Sequence, residues 1–463
     1  MSSMFDDTIS AVATAAGEGG IGIVRISGSE AVAVASQLFH GVKGKKATDL
    51  KPFQAAYGTI VDPISEVTID EALILVMKAP HSYTREDVVE IHCHGGMVPL
   101  RRILDLTLRS GCRLAEPGEF TKRAFLNGRL DLSQAEAVMD VIRAKTDVSL
   151  RLAVNHLAGA LSQQVRGMRQ ELLGLIAHLE AVIDFPEEDI DELGLAETRS
   201  GVSRLLHTVD QLLSTAATGR ILRDGLSTVI IGKPNVGKSS LLNALVRDER
   251  AIVTDVPGTT RDTIEEYVTV RGIPLRLVDT AGIRPTADLV ERIGVERARD
   301  MTSHADLIIL MLDRSLPLSD EDKEVFSLLA DRTAIILINK SDLPAVWDSA
   351  AISELAKEHS VLEVSVRAGI GLDKVEDEIV RLVYSGQVET GEGAFITSVR
   401  HANVLRAVQN HLQGAQSAMD ASMPIDCVVI DLRSAWETLG MISGDTVGED
   451  IIDEIFSRFC IGK

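Results

Sequence analysis

Gly232-Lys233-Pro234-Asn235-Val236-Gly237-Lys238-Ser239 is the stretch whose reading decides the fold, because it satisfies the phosphate-loop pattern G-x-x-x-x-G-K-[ST]. An apolar, strand-like run from Leu226 to Ile231 precedes it. A helical pattern carrying Leu241, Leu242 and Leu245 follows. In that context Gly232 and Gly237 let the backbone bend until successive N–H groups converge on phosphate oxygens, at the positive end of the next helix. Lys238 would reach the β- and γ-phosphates and the Ser239 hydroxyl would hold magnesium, with Ser240 next in line. The competing reading is a chance glycine turn. Lysine, hydroxyl and flanking strand together argue against it.

Working outward, Thr254-Asp255-Val256-Pro257-Gly258-Thr259-Thr260-Arg261-Asp262 is rich in hydroxyls and poor in apolar residues, the composition of a loop that can close over a γ-phosphate. Thr260 is the expected magnesium ligand in it. A strand from Pro274 to Val278 then delivers Asp279-Thr280-Ala281-Gly282, where Asp279 would support magnesium and the Gly282 N–H would sense the γ-phosphate. Two further strands, Leu307 to Leu312 and Ala334 to Ile338, lead to Asn339-Lys340-Ser341-Asp342. The Asp342 carboxylate can accept from the paired N–H donors on one edge of guanine, which adenine lacks, so GTP is expected. Ile283 stands where Ras-like enzymes place a water-orienting glutamine. Arg284, Glu291, Arg292 or a cation beside the phosphates are the candidates to replace it.

Composition sets the frame for the rest. With 463 residues, 45% of them hydrophobic, the chain is long enough for about three domains with cores of their own. Aromatics are only 3%, which predicts aliphatic, helix-rich cores. A net charge of -21 argues against a broad basic face for nucleic acid, so any RNA contact is local or supplied by a partner. Cys93, Cys112, Cys427 and Cys460 form no C-x-x-C pair and read as reduced thiols. His92 and His94 would share a strand face without a third ligand, which favours packing or hydrogen bonding over metal. No apolar run approaches a membrane span and the N-terminal residues lack a basic signal start, so a soluble, cytoplasmic protein is expected.

Residues 1 to about 122 mix strand and helix signals. Gly17, Gly19 and Gly22 fit G-x-G-x-x-G, yet the β-like Ile21-Gly22-Ile23-Val24-Arg25-Ile26 follows where a dinucleotide fingerprint needs a helix. A tight turn into a strand is the reading. On composition alone Arg25, Glu90 and Arg129 belong to a solvated surface. From Ser133 the period becomes helical: Leu150, Val154, Leu157, Leu161, Val165, Met168, Leu172, Leu175, Leu179 and Val182 predict one long amphipathic helix, stopped at Asp184-Phe185-Pro186. Val202, Leu205, Val209 and Leu212 mark a second helix. Val404, Val408 and Leu412 mark a third, and Ile451, Ile455 and Phe459 a last one. Helices on both sides of the nucleotide-binding segment predict a helical domain interrupted by an inserted one.

These motifs, together with Phe125-Leu126-Asn127-Gly128-Arg129-Leu130-Asp131-Leu132 and the ending Phe459-Cys460-Ile461-Gly462-Lys463, closely resemble the tRNA-modification GTPase MnmE (TrmE) family over essentially the whole chain. The resemblance implies potassium-stimulated hydrolysis by G domains paired across a homodimer. Potassium would be held by Asn235 with Thr254, Val256 and Thr259, where a cation neutralises charge developing between the phosphates. Glu291 matches the glutamate that positions water, with Lys238 the phosphate lysine. Ser365-Val366-Arg367 matches the base-contact element, usually Ser-Ala-Lys or Ser-Ala-Arg. The N-terminal segment resembles a tetrahydrofolate-binding fold that would hold 5-formyltetrahydrofolate on Arg25, Glu90, Arg129 and Lys463. Cys460 matches a cysteine required for modification, and a nearby Lys463 ammonium would raise its thiolate content. Read from residues alone, Cys460 is a buried helix-end thiol. The family acts with the flavin-containing partner MnmG on carbon five of the wobble uridine of certain tRNAs. It often has proline near Ala15 and Ala16, and arginine at Glu18, and this chain departs there.

The expected architecture is therefore multidomain. It comprises an α+β folate-binding-like and dimerisation domain over 1–122, an all-α helical domain in two parts over 123–222 and 385–463, and an inserted α/β P-loop GTPase domain over 223–384. The alternative is a regulatory RNA-binding GTPase of the ribosome-assembly type, whose mark would be a basic C-terminal module. Here that region carries Asp445, Glu449 and Asp450.

Overall fold

Alternating burial builds the first sheet. In β5 (Thr68–Met77) Ala72, Ile74 and Val76 are buried while the residues between them are more open, the pattern of an antiparallel sheet covered on one face. The computed structural model describes residues 7–15, 17–184, 191–248, 266–278, 302–329, 332–347, 352, 356, 359–384 and 394–463. The other strands of this sheet are β1 (Ile9–Val12), β2 (Gly19–Ser27), β3 (Phe39–Gly41), β4 (Gln54–Val61), β6 (Val88–Gly95) and β7 (Arg113–Leu114), in the order β3-β4-β5-β6-β2-β1-β7. Helices Ala31–Leu38 and Met97–Arg109 cover it, with Val34, Leu38, Leu100, Ile103 and Leu106 packed onto Val24, Ile26, Ile74 and Ile91. The Gly17/Gly19/Gly22 segment is the predicted turn into a strand. Gly17 has φ +139°, and the β2–β6 register shifts between Gly19 and Gly22.

Continuous burial builds the second sheet. β8 (Leu226–Ile231), β11 (Leu307–Asp313) and β12 (Ala334–Asn339) are buried at every position, as parallel strands covered on both faces must be. Alternate residues feed opposite faces, Ile230, Ile309 and Met311 on one and Val229, Ile231, Ile308 and Leu310 on the other. With β9 (Glu266–Val270), β10 (Ile273–Leu277) and β13 (Ser360–Glu363) the order is β13-β12-β11-β8-β10-β9, all neighbours parallel except β9 against β10. The strands predicted from sequence coincide with β8, β10, β11 and β12 to within a residue.

The chain divides into two compact units, Met1–Met139 with His156–Gly201 and Gly414–Lys463, and Asp140–Asn155 with Val202–Gln413. The fold is multidomain: an α+β N-terminal part, helical segments, and an α/β nucleotide-binding part. Within the second unit, the segment entering the nucleotide-binding sheet meets the segment leaving it. The Ile396 N–H donates to Thr215 Oγ1 at 3.0 Å, and a Cβ on Gly219 would lie 2.3 Å from the Ile396 carbonyl oxygen.

Two helical readings need correction. The single helix through Leu150 and Val182 is two, Asp147–Leu157 and Ala160–Asp184. The break is at Gly159, whose φ of +93° is outside the helical region, and Gln134 Nε2 donates to the Leu157 carbonyl at 3.0 Å. Apolar periodicity runs on across the break because both helices bury the same kind of face. In helix Glu449–Ser457 the buried positions are Ile452 and Phe456, continued by Phe459 beyond its end, while Ile451 is 39% exposed. Of the predicted Ile451, Ile455 and Phe459 only Ile451 turns outward; Ile455 packs partly buried against the same core, and the stripe is centred on Phe456, which lies between Phe125 and Phe459.

Candidate functional site

The phosphate loop lies at the carboxyl end of β8, between a chain crossing to β10 on one side and to β11 on the other, where open α/β sheets form their ligand crevice. Its backbone needs its glycines. Gly232 has φ +143°, and a Cβ there would meet the Met311 carbonyl oxygen at 2.4 Å; Gly237 has φ +111°, and a Cβ would meet Asn339 Nδ2 at 2.3 Å. Asn235 takes φ +62°, which asparagine tolerates better than most residues. Val236 is buried, whereas Asn235, Ser239 and Ser240 are exposed around the start of helix Lys238–Asp248. Lys238 Nζ donates to the Gly232 and Lys233 carbonyls, both at 2.8 Å.

Asn339 joins this loop to the base-side loop. Its Nδ2 donates to the Val236 carbonyl at 2.7 Å, and its Oδ1 accepts from the Val366 N–H at 3.1 Å. Lys340, at φ +63°, reaches Asp313 Oδ2 at 2.6 Å. Burial pushes the Asp313 carboxyl up, but Lys340 and the Ser315 hydroxyl and N–H hold it below its ordinary value. Ser365 Oγ donates to Asp342 Oδ1 at 2.6 Å and holds that exposed carboxyl below its ordinary value. A carboxylate has about four acceptor sites, so one such bond leaves room for a paired donor edge. Arg367 is exposed and adds positive potential at Asp342. Sequence reasoning missed the Lys233–Asp322 ion pair, at 2.5 Å, which ties the phosphate loop to the capped start of helix Asp320–Ser327. Thr254, Asp255, Val256, Pro257, Gly258, Thr259, Thr260, Asp279, Thr280, Ala281, Gly282 and Glu291 lie outside the described residues.

A second constellation lies in the other unit. Arg25 and Glu90 are register partners on β2 and β6, their side chains joined at 2.9 Å and each 14% exposed, not the solvated charges that composition suggested. His92 Nε2 lies 3.3 Å from the other Glu90 oxygen. Arg25 also donates to the Gly462 carbonyl at 3.3 Å, and Phe120 N–H donates to the Lys463 carbonyl at 3.1 Å. Gly462 passes so close to β1 that a Cβ would lie 2.2 Å from the Val12 carbonyl oxygen, at φ +90°. Thus Arg25, Glu90 and Lys463 meet. Burial, then Arg25, lower the Lys463 pKa, against the pull of Glu90 and Cys460. Arg129 reaches the group through Tyr83: its guanidinium lies 4.6 Å from the ring centroid and donates to the Tyr83 carbonyl at 3.0 Å. Cys460 is exposed, which overturns the buried-thiol reading, while its carbonyl accepts from the Gly118 N–H at 3.3 Å. Tyr83 and Phe120 were missed, since neither carries a motif. His94 pairs with Asp70 at 2.6 Å, and among the described residues no group of acidic, histidine or cysteine side chains is arranged to hold a metal.

A mainly parallel sheet with a glycine-bent phosphate loop, tied by Asn339 to a loop presenting an exposed carboxylate, defines a P-loop protein of the GTPase class. Sequence profiles place it further: the description "GTP-binding protein TrmE N-terminus" matches residues 8–129, and "MnmE helical domain" matches 132–460. A protein named tRNA modification GTPase MnmE from Alkaliphilus metalliredigens is 53% identical over 459 residues, 99% of each chain. The protein of that name from Bacillus subtilis is 50% identical over 461 residues, 99% of this chain and 100% of its own. The G domain of the T. maritima FeoB iron transporter aligns over 34% of the chain and 97% of its own length, at 26% identity and a TM-score of 0.26. On the full-length relatives and the profiles, the chain belongs to the tRNA modification GTPase MnmE family.

Proposed function

We propose that this chain hydrolyses GTP and couples the cycle to modification of carbon five of the wobble uridine of certain tRNAs, installing an aminomethyl-type group. The observation that carries the nucleotide half is Asn339, which by bonding both Val236 and Val366 makes one pocket of the phosphate loop and the base-selecting loop. The residues present fit the nucleotide: both glycines are required by close approach, and Lys238 already rests its ammonium on loop carbonyls that a phosphate would outcompete. Magnesium would be held by Ser239 and Thr260. Potassium would be held by Asn235 with Thr254, Val256 and Thr259, supplying positive charge beside the β- and γ-phosphates. Glu291 would orient the attacking water.

For the other half, the reading is that 5-formyltetrahydrofolate, the one-carbon source, is held by Arg25, Glu90, Arg129 and Lys463. The arrangement fits such a ligand, because two guanidiniums suit carboxylates and the rings of Tyr83 and Phe120 suit a planar heterocycle. Cys460, exposed beside this group, is the residue we assign to the modification chemistry. The protein would work as a homodimer with a flavin-containing MnmG partner in the cytoplasm. No helix among the described residues is long and apolar enough to cross a membrane. The decisive experiment is mass spectrometry of wobble uridines from cells carrying Cys460→Ser. Loss of the modified nucleoside is expected, and intact nucleosides would remove the chemical role. In parallel, purified protein should hydrolyse GTP markedly faster in potassium than in sodium.

A further inference from the structure

We infer that Tyr83 is the positioning residue of the N-terminal site, holding the guanidiniums of Arg25 and Arg129 around one ring. This rests on reading Arg25, Glu90, Arg129 and Lys463 as that site. Four contacts converge on Tyr83. Its ring lies under the Arg129 guanidinium at 4.6 Å and near the Arg25 guanidinium at 5.6 Å. Its carbonyl accepts from Arg129 at 3.0 Å. Its hydroxyl bonds Thr121 Oγ1 at 2.9 Å, on the helix Glu119–Leu126 that also carries Phe120. Thr121 is fully buried, so the phenol is anchored to an immobile partner.

The physical point is repulsion. Two guanidiniums drawn to one site repel each other, and in the absence of a ligand would swing apart into solvent. Arg25 has Glu90 and the Gly462 carbonyl to hold it. Arg129 is exposed, and its guanidinium rests on the ring and the carbonyl of Tyr83. An aromatic ring offers its negative face to both cations at once without neutralising either, as a carboxylate would. Both charges therefore stay available to an anionic ligand, and the side-chain entropy of ordering Arg129 is spent before it binds. Phe120 also lies near the Arg25 guanidinium, at 5.6 Å.

The test compares full-length wild type with Tyr83→Phe and Tyr83→Leu. Titration calorimetry with 5-formyltetrahydrofolate should give affinity within about twofold of wild type for Tyr83→Phe, which keeps the ring, and at least about fivefold weaker for Tyr83→Leu. Phenylglyoxal labelling of the unliganded protein, read residue by residue by mass spectrometry, should show faster modification of Arg129 and Arg25 in Tyr83→Leu only, with Arg123 unchanged as the internal reference. Equal affinity and equal labelling of Arg129 in Tyr83→Leu would overturn the inference. If wild type fails to bind the folate, the ligand assignment falls, and the labelling alone then decides the positioning role. If Arg123 labelling rises as well, the helix has loosened and the effect is structural, which also counts against the inference.

Discussion

Arg25 and Glu90 face each other across adjacent strands, 437 and 373 positions before Lys463's neighbour and Lys463 respectively in the chain, and close an ion pair at 2.9 Å that stands one hydrogen bond from Gly462. Replacing Glu90 by Gln keeps the shape and removes the charge that holds Arg25. Loss of one charge-assisted, partly buried hydrogen bond predicts destabilisation of about 1.5–3 kcal/mol. Trp436 lies in the same compact unit, so its fluorescence in a Trp347→Phe background should report an unfolding midpoint shifted to lower denaturant.

Arg123 is fully buried and meets three carboxylates, Asp7 at 2.7 Å, Glu119 at 2.9 Å and Glu86 at 3.2 Å. Burial alone would raise the Asp7 and Glu119 pKa values, but Arg113 and Arg123 hold both below the ordinary carboxylate range. The stability these groups contribute is therefore present above that range and lost as pH falls through the lowered values. Arg123→Met strands the carboxylates and should cost about 3–5 kcal/mol near neutrality. The penalty should shrink on acidification, as the carboxyls protonate. A penalty that stays constant from neutrality down through the acid range below the ordinary carboxylate values would contradict the network.

The four thiols separate by environment. Burial pushes Cys93 to about 11 and Cys112 to about 12, whereas Cys460 is exposed and Cys427 partly so. A thiol-reactive disulfide reagent at pH 7.5 should modify Cys460 within minutes and leave Cys93 and Cys112 untouched until denaturant is added. Cys460→Ser should remove the fast phase.

Asn339→Ala deletes both bonds of the residue that joins the two nucleotide loops. The Val236 carbonyl and the Val366 N–H lose their partner, each at about 1–3 kcal/mol if unsatisfied. Binding of a fluorescent GTP analogue should weaken by about a hundredfold or more, while Asp342→Asn should shift preference from guanine towards xanthine, whose carbonyl replaces the donor.

Gly462→Ala requires a methyl where the Val12 carbonyl oxygen already sits, at a backbone angle of φ +90°. The terminal segment should undock. Amide hydrogen exchange over residues 459–462 should accelerate, with GTP affinity unchanged, since the nucleotide pocket belongs to the other unit.

What was legible in the sequence divides by the range of the physics. The phosphate loop and Asn339 to Asp342 were readable because each is a short segment behind a continuously apolar strand, and the strand ends place the motifs without further information. Gly159 was passed over because Leu157 and Leu161 keep helical spacing across it, and only its positive φ marks the break. Arg25 and Glu90 look like surface charges until a strand pairing puts them in register. Here only family resemblance linked them to Lys463. Tyr83 and Phe120 left no signal in sequence, since an aromatic beside two arginines that are distant in the chain is a tertiary fact. Lys233 with Asp322 is another of the same kind.

The hydrogen bond from Arg25 to Gly462 spans 437 residues. During translation at about 5–20 residues per second, the sheet that bears Arg25 emerges roughly 20–90 s before its last partner exists. Until then Arg25 has Glu90 but no Gly462 carbonyl, and Phe120 has no Lys463 to bond. A chain whose synthesis stops anywhere in that interval therefore carries Arg25 and Phe120 without the two carbonyls that would tie the first sheet to the last residues made.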